Sequence, residues 1–533
     1  MEMGMKTIIK KYGAYVLLGL ALLFLIFLNL FYHDHWLDSD MAAEMIFSRL
    51  LADSGHLFAT PEWYYSTEFR VLYTQLVMTP LFLLTDNWHL IRMAANLVTY
   101  LLMVFSYFYM MEPLKVDRRW TALTGTVLLL PFSETMMTHM QMGNTYMPHV
   151  ILLCFFFGMF LRLVKKEGYS RGRRWEITMF YVGLAIICGV SGVRYLLAMQ
   201  CPLLLASFLY LLDSGEFQLF RSGFGRKQET GGLWKGLWRS AEARYMHYSL
   251  LGAAAGVAGY GLNVAWVSRR YVFQTYGTTN FIAVYQGVLG ERLQNAIGSF
   301  LMLFGYIPDK GFLSVRGLVT LVSFALIALL GYCCVRVYRK GRGERFFVAL
   351  FLGVAFALNV FVFVFTTSTM VPRYYITIVL FALPVLAFYF EGEELLFDKT
   401  VVGFLLGLCL CVASGKVTLS YLSADKNADR RKVAAFLEEN GYDFGYATYW
   451  NANIITELTD GAVEIANIHD LETMEFFKWS SPVRYYEEGY HQGRTFLLLT
   501  EEEASKYRET RALQKGEIVY EDGKYTVYSY EGI

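Results

Sequence analysis

The stretch "YGAYVLLGLALLFLIFLNLFY", residues 12–32, decides the fold class of this 533-residue chain. It holds no charged residue and is long enough to cross the ~30 Å hydrocarbon layer of a bilayer as a helix. Its apolar part is longer than the roughly 7–15 residues of a signal-peptide core, and no small-residue cleavage site follows it. We therefore expect a retained membrane anchor, in a chain that is 55% hydrophobic and only 17% charged.

Similar apolar runs recur along the chain and predict a polytopic α-helical membrane protein. At ~20 residues for each crossing, the sequence holds about eleven spans. The formal net charge of +1 and the lack of a basic domain give no indication of nucleic acid as a partner. The spans are expected near residues 12–32, 90–111, 120–137, 147–164, 176–190, 193–212, 248–267, 317–337, 346–366, 374–390 and 400–422.

Lysine and arginine are concentrated in every second predicted loop, and this bias sets the orientation. Because basic loops remain cytoplasmic, we expect a cytoplasmic N-terminus in the plasma membrane, an outer first loop at residues 33–89 and an extracytoplasmic segment after residue 423. One loop, residues 391–399, is acidic and departs from the alternation. The basic groups are Lys6, Lys10 and Lys11; Lys115, Arg118 and Arg119; Lys165, Lys166, Arg171, Arg173 and Arg174; the stretch from Arg221 to Arg244; and Arg339, Lys340, Arg342 and Arg345.

The composition changes near residue 423 from apolar runs to charged, periodic sequence. We expect a membrane domain over residues 1–422 and a soluble α/β domain over residues 423–533. In the latter, "RRKVAAFLEEN" predicts a helix that ends at Gly441. Strands are predicted for "YDFGYATYW", "GAVEIANI", "RTFLLLT" and the Asp-Gly hairpin "GEIVYEDGKYTVYSYE". All seven cysteines lie in or beside the spans, so no disulfide framework is expected.

The first outer loop has helical patterns of its own. "DMAAEMIFSRLLADSG", residues 40–55, predicts an amphipathic helix that begins at a cap, Asp40 or Ser39, and ends before Gly55. "FRVLYTQLVMTPLFLL", residues 69–84, predicts a second apolar helix broken by Pro80. We expect both helices to lie on the outer membrane face.

The acidic residues Asp38 and Asp40 have two interpretations. As a helix cap and part of a solvated turn, they favour the helix dipole and need no further role. They also lie where the first span leaves the bilayer, the level at which a lipid-linked substrate presents its head group. Asp40 would there be the general base, and Asp38 would orient an acceptor or help to hold a divalent ion. The spacing of His33, His35 and Asp38 is a weak metal signal, and no cofactor follows firmly from the sequence.

Two motifs within this layout resemble the GT-C superfamily of glycosyltransferases, which includes protein O-mannosyltransferases and bacterial lipid A aminoarabinose transferases. The first is "LDSDMAAEMIFSRLL", residues 37–51, and the second is "STMVPRYYITIVLFALPVLAFYF", residues 368–390. The resemblance implies a sugar donor carried on polyprenyl phosphate and a catalytic Asp in the first outer loop. Many relatives have adjacent Asp-Glu where this chain has Asp-Ser-Asp, so the counterpart of the catalytic Asp stays open between Asp38 and Asp40.

Arginines on the predicted outer face are candidates for binding the donor phosphate, because a guanidinium matches phosphate oxygens. The strongest are Arg373, after a proline, and Arg194, in a tight turn, followed by the adjacent pair Arg269 and Arg270. Each of them could instead be an interfacial anchor that reaches to lipid head groups. The remaining outer arginines are Arg49, Arg70, Arg292 and Arg316.

Other polar residues near the outer face complete the set of candidates. Glu134 beside the apolar layer is costly unless it is paired or functional, and an ion pair is its simpler explanation. The aromatic stretch "TYWNAN", residues 448–453, could contact the active site and stack on a sugar. The polar candidates are Glu68, Glu134 and His139, with Gln141, Asn144 and His149 beside them.

The leading hypothesis is a membrane glycosyltransferase of the hexosyltransferase type. It would move one sugar from a polyprenyl-phosphate carrier to an acceptor (a glycan, a lipid or a protein) at the extracytoplasmic face. The alternative is a transporter or flippase of lipid-linked saccharides, which would place polar residues in the middle of the spans. Such residues are nearly absent here, and polar groups crowd one face. A scaffold role for the C-terminal domain is a third option.

Overall fold

A computed structural model describes residues 2–143, 145–165, 168–214, 241–274, 279–283, 287–311 and 313–531, without side chains for residues 2–10, 214 and 315. Asn144, Lys166 and most of the basic stretch that starts at Arg221 lie outside the described residues. The helices are α1 Glu2–Tyr32, α2 Ser39–Asp53, α3 Gln75–Leu81, α4 Trp88–Met111, α5 Arg118–Leu129, α6 Glu134–Met136, α7 Met147–Val164, α8 Arg171–Val190, α9 Cys201–Ser214, α10 Ala243–Leu262, α11 Ser268–Arg270, α12 Leu289–Leu303, α13 Val315–Lys340, α14 Glu344–Phe365, α15 Ile376–Gly392, α16 Leu396–Ser423, α17 Ala428–Glu439, α18 Tyr449–Leu458, α19 Glu501–Lys506 and α20 Arg511–Lys515.

Nine helical segments in the described part of the chain are long and apolar enough to cross a membrane. The predicted multi-pass helical architecture is therefore confirmed, but the count of eleven is not. The two remaining predicted spans correspond to α5, which has only 12 residues, and to α8, which has 20 residues but begins with several charged side chains. Helix α5 ends at Leu129, and the chain turns through a π-helical segment, Met137–Met142, before α7.

Ion pairs explain the acidic loop that departs from the charge alternation. Glu393 lies 2.6 Å from Arg336 and 3.3 Å from Lys340, while Glu391 pairs with Arg345 at 2.5 Å. The second oxygen of Glu391 accepts the backbone N–H of Asp117 at 2.9 Å. The acidic loop thus shares one side of the helical bundle with two of the basic loops and is partly neutralised by one of them.

The first loop folds as predicted into helices, with a correction at the start of α2. Asp38, in an extended conformation, is the N-cap: its carboxylate accepts the N–H of Met41 at 2.9 Å. Asp40 therefore lies in the first helical turn rather than at the cap. Helix α3 includes Pro80 near its end and finishes at Leu81.

The chain after residue 423 forms a six-stranded sheet covered by helices, so the predicted C-terminal α/β fold is confirmed. Helix α17 ends before Gly441, whose φ of +68° requires glycine, as the sequence predicts. Strands β3, β4 and β7 run parallel, and β5, β8 and β9 add antiparallel edges in the order β5-β4-β3-β7-β9-β8. The strands are β3 Phe444–Thr448, β4 Glu464–Asp470, β5 Glu475–Phe476, β7 Arg494–Thr500, β8 Glu517–Glu521 and β9 Tyr525–Glu531.

A second, small sheet joins three distant parts of the chain. Strand β1, Trp63–Tyr65 of the first loop, pairs in parallel with β2, Val272–Phe273, and antiparallel with β6, Ser481–Pro482. The loop after α10 and the C-terminal domain are therefore both tied to the first loop.

The C-terminal domain also docks on the start of α2 through buried polar contacts. Arg92 of α4 lies 2.6 Å from Glu457 of α18 and donates to the carbonyl of Met41 at 2.8 Å. Asn427 donates to two carbonyl groups of the first loop at 2.8 Å each. These contacts fix the C-terminal domain against the helix that carries the Asp-Ser-Asp motif.

Candidate active site

A cavity of about 900 Å³ lies where the first loop, the membrane helices and the C-terminal domain meet. Helix α2 and strand β1 contribute one wall, and the ends of α7, α9, α14 and α15 contribute others. Three residues of the C-terminal domain complete it: Tyr449, Trp479 and Ser480. The cavity is large enough for a sugar with its phosphate and part of a lipid chain, within the usual size range of ligand pockets.

Asp40 lies on the cavity wall and is oriented by the C-terminal domain. Its Oδ1 accepts the hydroxyl hydrogen of Tyr449 at 2.7 Å. It lies in the first turn of α2, where the helix dipole favours a negative charge. A carboxylate accepts up to about four hydrogen bonds, so this bond leaves capacity for an incoming hydroxyl.

Asp38 has a different environment, although it is only two residues away. Its side chain caps α2, and it is not among the residues that line the cavity. Burial raises the pKa of Asp38 to about 6, and the neighbouring charge of Asp40 adds to the shift. The helix turn thus separates the two carboxylates into a cap and a cavity residue.

Glu44 lies one helical turn after Asp40 and is on the same wall of the cavity. It is buried and pairs with Arg70 at 2.9 Å, while the hydroxyl of Thr74 donates to its second oxygen at 3.0 Å. Burial raises the pKa of Glu44 to about 7 in spite of the arginine. Glu44 therefore holds Arg70 at the cavity.

Arg194 and Glu68 form a second ion pair on the wall, with an N–O distance of 2.5 Å. Arg194 also lies over the Tyr146 ring at 5.0 Å and the Tyr374 ring at 6.0 Å. The tight turn after α8 holds this arginine, as the sequence indicates, and aromatic rings on both sides restrict it further.

Arg373 lies on the cavity wall in a short 3₁₀ turn, Pro372–Tyr375, that leads into α15. Pro372 fixes the backbone at the start of this turn. Among the described residues, Arg373 forms no ion pair, in contrast to Arg70 and Arg194. It is half-buried and therefore accessible to a ligand in the cavity.

Several predicted site residues lie elsewhere. Arg269 and Arg270 form the short exposed helix α11 and do not line the cavity, because α10 ends away from it. Glu134 is an exposed residue at the start of α6. His139 contacts Thr145 at 3.2 Å behind the wall, and burial, with the charge of Arg373, lowers its pKa to about 4.

The other outer arginines have structural contacts or point away from the cavity. Arg49 pairs with Asp53 and Asp86, and Arg292 donates to the carbonyl groups of Phe363 and Ser368. Arg316 is exposed. Gln141 is buried and donates to the carbonyl groups of Leu128 and Leu130.

The cavity residues do not fit a divalent cation well. Of its three carboxylates, Glu44 and Glu68 are each engaged by an arginine, which leaves Asp40 as the single acid without a cationic partner. In the described part of the chain, no three His, Cys, Asp or Glu side chains converge as metal ligands. His33 faces Asp34 at 3.7 Å and His35 faces Asp425 at 3.7 Å, so the spacing of His33, His35 and Asp38 does not form a site.

The membrane side of the cavity is apolar. Leu196, Leu197 and Ala198 belong to a π-helical segment before α9, and Leu358 and Val362 belong to α14. π-Helical segments occur frequently at functional sites. This part of the wall offers aliphatic contact to a lipid chain.

Some cavity residues are not among the candidates chosen from the sequence. Asn359 lies within an apolar span, and Trp479 and Ser480 lie in an irregular stretch of the C-terminal domain. The stretch "TYWNAN", in contrast, is one that could contact the site, and its Tyr449 donates to Asp40. A polar residue in an otherwise apolar helix, such as Asn359, is a sequence signal for a residue that lines a cavity.

No protein-family model matches the chain, and no curated protein matches it. The chain does match solved structures. ArnT from Cupriavidus metallidurans, bound to undecaprenyl phosphate, is 14% identical, with 97% of this chain and 98% of that chain covered and a TM-score of 0.54. The apo state of the same protein is 12% identical, with 98% of both chains covered and a TM-score of 0.59.

The oligosaccharyltransferase of Archaeoglobus fulgidus, tethered with an acceptor peptide containing the NVT sequon, is 12% identical. The similarity covers 98% of this chain and 74% of that chain, with a TM-score of 0.50. At these identities the similarity concerns the fold. ArnT and oligosaccharyltransferase are both GT-C glycosyltransferases, and the resemblance of this chain to the GT-C superfamily is confirmed in its fold.

Proposed function

We propose that this protein is a membrane glycosyltransferase that transfers one sugar from a polyprenyl-phosphate carrier to an acceptor hydroxyl, with Asp40 as the general base. We place the reaction at the extracytoplasmic face of the plasma membrane, as the distribution of basic loops predicts. The similarity to a structure that holds undecaprenyl phosphate supports the choice of carrier.

The distribution of charge in the cavity carries the proposal. Among the described residues, the charged side chains on the wall are Asp40, Glu44, Glu68, Arg70, Arg194 and Arg373. Two ion pairs, Glu44 with Arg70 and Glu68 with Arg194, account for four of them. One anion, Asp40, and one cation, Arg373, have no ion partner in the part of the chain that the structure describes. Group transfer from a phosphate requires this pair of functions, a base for the acceptor and a cation for the leaving group.

The reaction follows from these two groups. Asp40 takes the proton of the acceptor hydroxyl as that oxygen forms a bond to the anomeric carbon of the sugar. The bond between the anomeric carbon and the phosphate oxygen breaks, and the electron pair leaves with polyprenyl phosphate. Arg373 stabilises the negative charge that develops on the phosphate. Attack from the face opposite the leaving group inverts the anomeric centre.

The two ends of the cavity fit the two substrates. The apolar wall from α9 and α14 fits the polyprenyl chain, since aliphatic surface there faces the membrane helices. Tyr449 of the C-terminal domain contacts Asp40, and Trp479 and Ser480 of the same domain line the cavity, so we place the acceptor against this domain. The hydrogen bond from Tyr449 makes the position of the base depend on the docked C-terminal domain.

The test is the release of polyprenyl phosphate from a panel of labelled polyprenyl-phosphate sugars by purified protein in nanodiscs, with cell-envelope extract as the acceptor source. We expect Asp40→Asn to lower turnover by ~10² or more. The matched control is Asp53→Asn, an exposed residue at the far end of the same helix, and we expect it to retain turnover.

Equal turnover by Asp40→Asn and the wild type would exclude Asp40 as the base. A wild-type protein that binds or moves a donor without consuming it would instead support the transporter hypothesis. A loss of turnover in Asp40→Asn supports the general base only if its melting temperature equals that of the wild type, because a misfolded variant also loses turnover.

A further inference from the structure

We propose that Tyr146, His149 and Asn359 form a subsite for the glycosyl group of the donor, and that this group is a neutral sugar with free hydroxyl groups. The inference rests on the proposed function and deepens it by naming the class of sugar. These three residues, called the polar floor below, come from the start of α7 and the outer half of α14.

The polar floor holds three buried polar atoms that have no hydrogen-bond partner among the described residues. They are the hydroxyl of Tyr146, Nδ1 of His149 and Oδ1 of Asn359. Tyr146 and His149 are only 4% and 3% exposed, and all three residues line the cavity. A buried polar atom without a partner costs free energy, so three on one wall indicate that a ligand supplies the missing bonds.

Contacts connect the polar floor into one surface around Arg194. The rings of Tyr146 and His149 are 6.0 Å apart, and Arg194 lies 5.0 Å from the Tyr146 ring and 6.0 Å from the Tyr374 ring. The side-chain N–H of Asn359 donates to the carbonyl of Tyr374 at 3.2 Å, and the Oδ1 atom of Asn359 therefore points away from this carbonyl. The three unpartnered atoms thus belong to one continuous wall rather than to separate sites.

The chemistry of these atoms favours hydroxyl groups over phosphate. Asn359 Oδ1 only accepts hydrogen bonds, and a phosphate dianion only accepts, so the two do not pair. A hydroxyl group both donates and accepts, and it therefore satisfies Asn359, Tyr146 and either tautomer of His149. Phosphate is left to the unpaired Arg373, and the sugar ring to the polar floor.

The charges beside the polar floor disfavour an amino sugar. Glu68 lines the same cavity and is already paired with Arg194 at 2.5 Å. Glu44 is paired with Arg70 in the same way. An ammonium group at the polar floor would lie beside Arg194, and the remaining cavity carboxylate, Asp40, accepts from Tyr449 and is the base of the proposed reaction, whereas a neutral sugar needs no carboxylate.

Equilibrium binding of three lipids to the protein in nanodiscs tests the inference. The lipids are undecaprenyl phosphate carrying a mannosyl group, undecaprenyl phosphate carrying an amino sugar, and undecaprenyl phosphate alone. Tyr146→Phe removes the unpartnered hydroxyl and keeps the ring, and His149→Phe replaces the imidazole with an aromatic ring that has no polar atom, so we expect both to fold. The matched control is Tyr389→Phe, which also removes a buried hydroxyl without a partner, but outside the cavity.

We expect each floor variant to weaken binding of the mannosyl lipid by about two- to tenfold, the effect of one hydrogen bond. Binding of undecaprenyl phosphate alone should stay unchanged, and Tyr389→Phe should change neither. The wild type should prefer the mannosyl lipid to the amino sugar lipid.

Three results would overturn the inference while the proposed function stands. They are unchanged mannosyl binding in both floor variants, an equal loss for undecaprenyl phosphate alone, and a wild-type preference for the amino sugar lipid. A wild-type protein that binds none of the three lipids would overturn the proposed function itself, and this inference with it.

Discussion

The buried ion pair between Arg92 and Glu457 should determine whether the C-terminal domain stays docked on the active site. Arg92 is 1% exposed and Glu457 is 7% exposed, and the guanidinium makes two bonds to the carboxylate, at 2.6 and 2.7 Å. Glu457→Gln keeps the shape but removes the charge, which leaves a buried arginine without a counterion. Breaking a buried pair in this way costs about 3–5 kcal/mol.

The control for this prediction is a second Glu→Gln change in the same domain. Glu464 pairs with Arg484 at the same 2.6 Å distance, but the two side chains are 23% and 38% exposed. Exposed pairs contribute about 0–1 kcal/mol. The two variants thus make the same Glu→Gln change in a Glu–Arg ion pair, and the two pairs differ in how deeply they are buried.

The assay is amide hydrogen exchange of α18 in the purified protein, since this helix carries both Glu457 and the Asp40 partner Tyr449. A loss of 3–5 kcal/mol converts to exchange that is faster by about 10²- to 5 × 10³-fold where undocking is the opening event. We expect Glu464→Gln to change exchange by less than about tenfold. Equal exchange in the two variants would show that burial of the Arg92–Glu457 pair does not hold the domain in place. Turnover should fall in the variant whose C-terminal domain undocks, because Tyr449 of that domain orients Asp40.

Three further predictions concern the cavity. Asp38→Asn should keep the helix cap, because Asn caps as well as Asp, and it should also keep most of the turnover. A loss of turnover as large as that of Asp40→Asn would make Asp38 the base. Burial raises the pKa of Glu44 from 4.5 to about 7, so the folded state binds the proton of this carboxyl more tightly than the unfolded state does. Glu44 therefore makes the free energy of unfolding fall as pH rises from about 4.5 to 7. Glu44→Gln should flatten the dependence of melting temperature on pH in that window, and an unchanged slope would refute the pKa shift. Arg373→Gln should weaken binding of undecaprenyl phosphate by tenfold or more, the effect of one charged hydrogen bond. Arg269→Gln, at an exposed position, should leave this binding unchanged. Equal effects of the two variants would show that arginines attract the anionic lipid in general and that Arg373 has no specific role.

Much of the fold could be predicted from the sequence because membrane burial acts on each span separately. A run such as residues 12–32 must be helical in lipid, whatever surrounds it. The prediction was less accurate where length was marginal, as for α5 and α8. Helix α2 was expected to begin at Asp40 or Ser39, but Asp38 is the cap, since composition alone does not distinguish three consecutive capping residues.

The candidate site could be predicted only in part. Asp40, Arg194, Arg373 and Glu68 line the cavity as candidates chosen from their position near one membrane face. Arg269 and Arg270 were chosen by the same criterion and lie outside it, because a depth in the membrane does not specify which side of a helix bundle a residue faces.

The sequence by itself determined the membrane helices, the alternation of loop charge and the acidic motif after the first span, because each depends on local composition. Only the tertiary structure decided which charges are paired. Glu44 and Arg70 are 26 residues apart, Glu68 and Arg194 are farther apart still, and Tyr449 reaches Asp40 across 409 positions. Whether an acid in this cavity is neutralised or available for chemistry depends on which distant side chain the fold brings within hydrogen-bonding distance, and no local pattern records that.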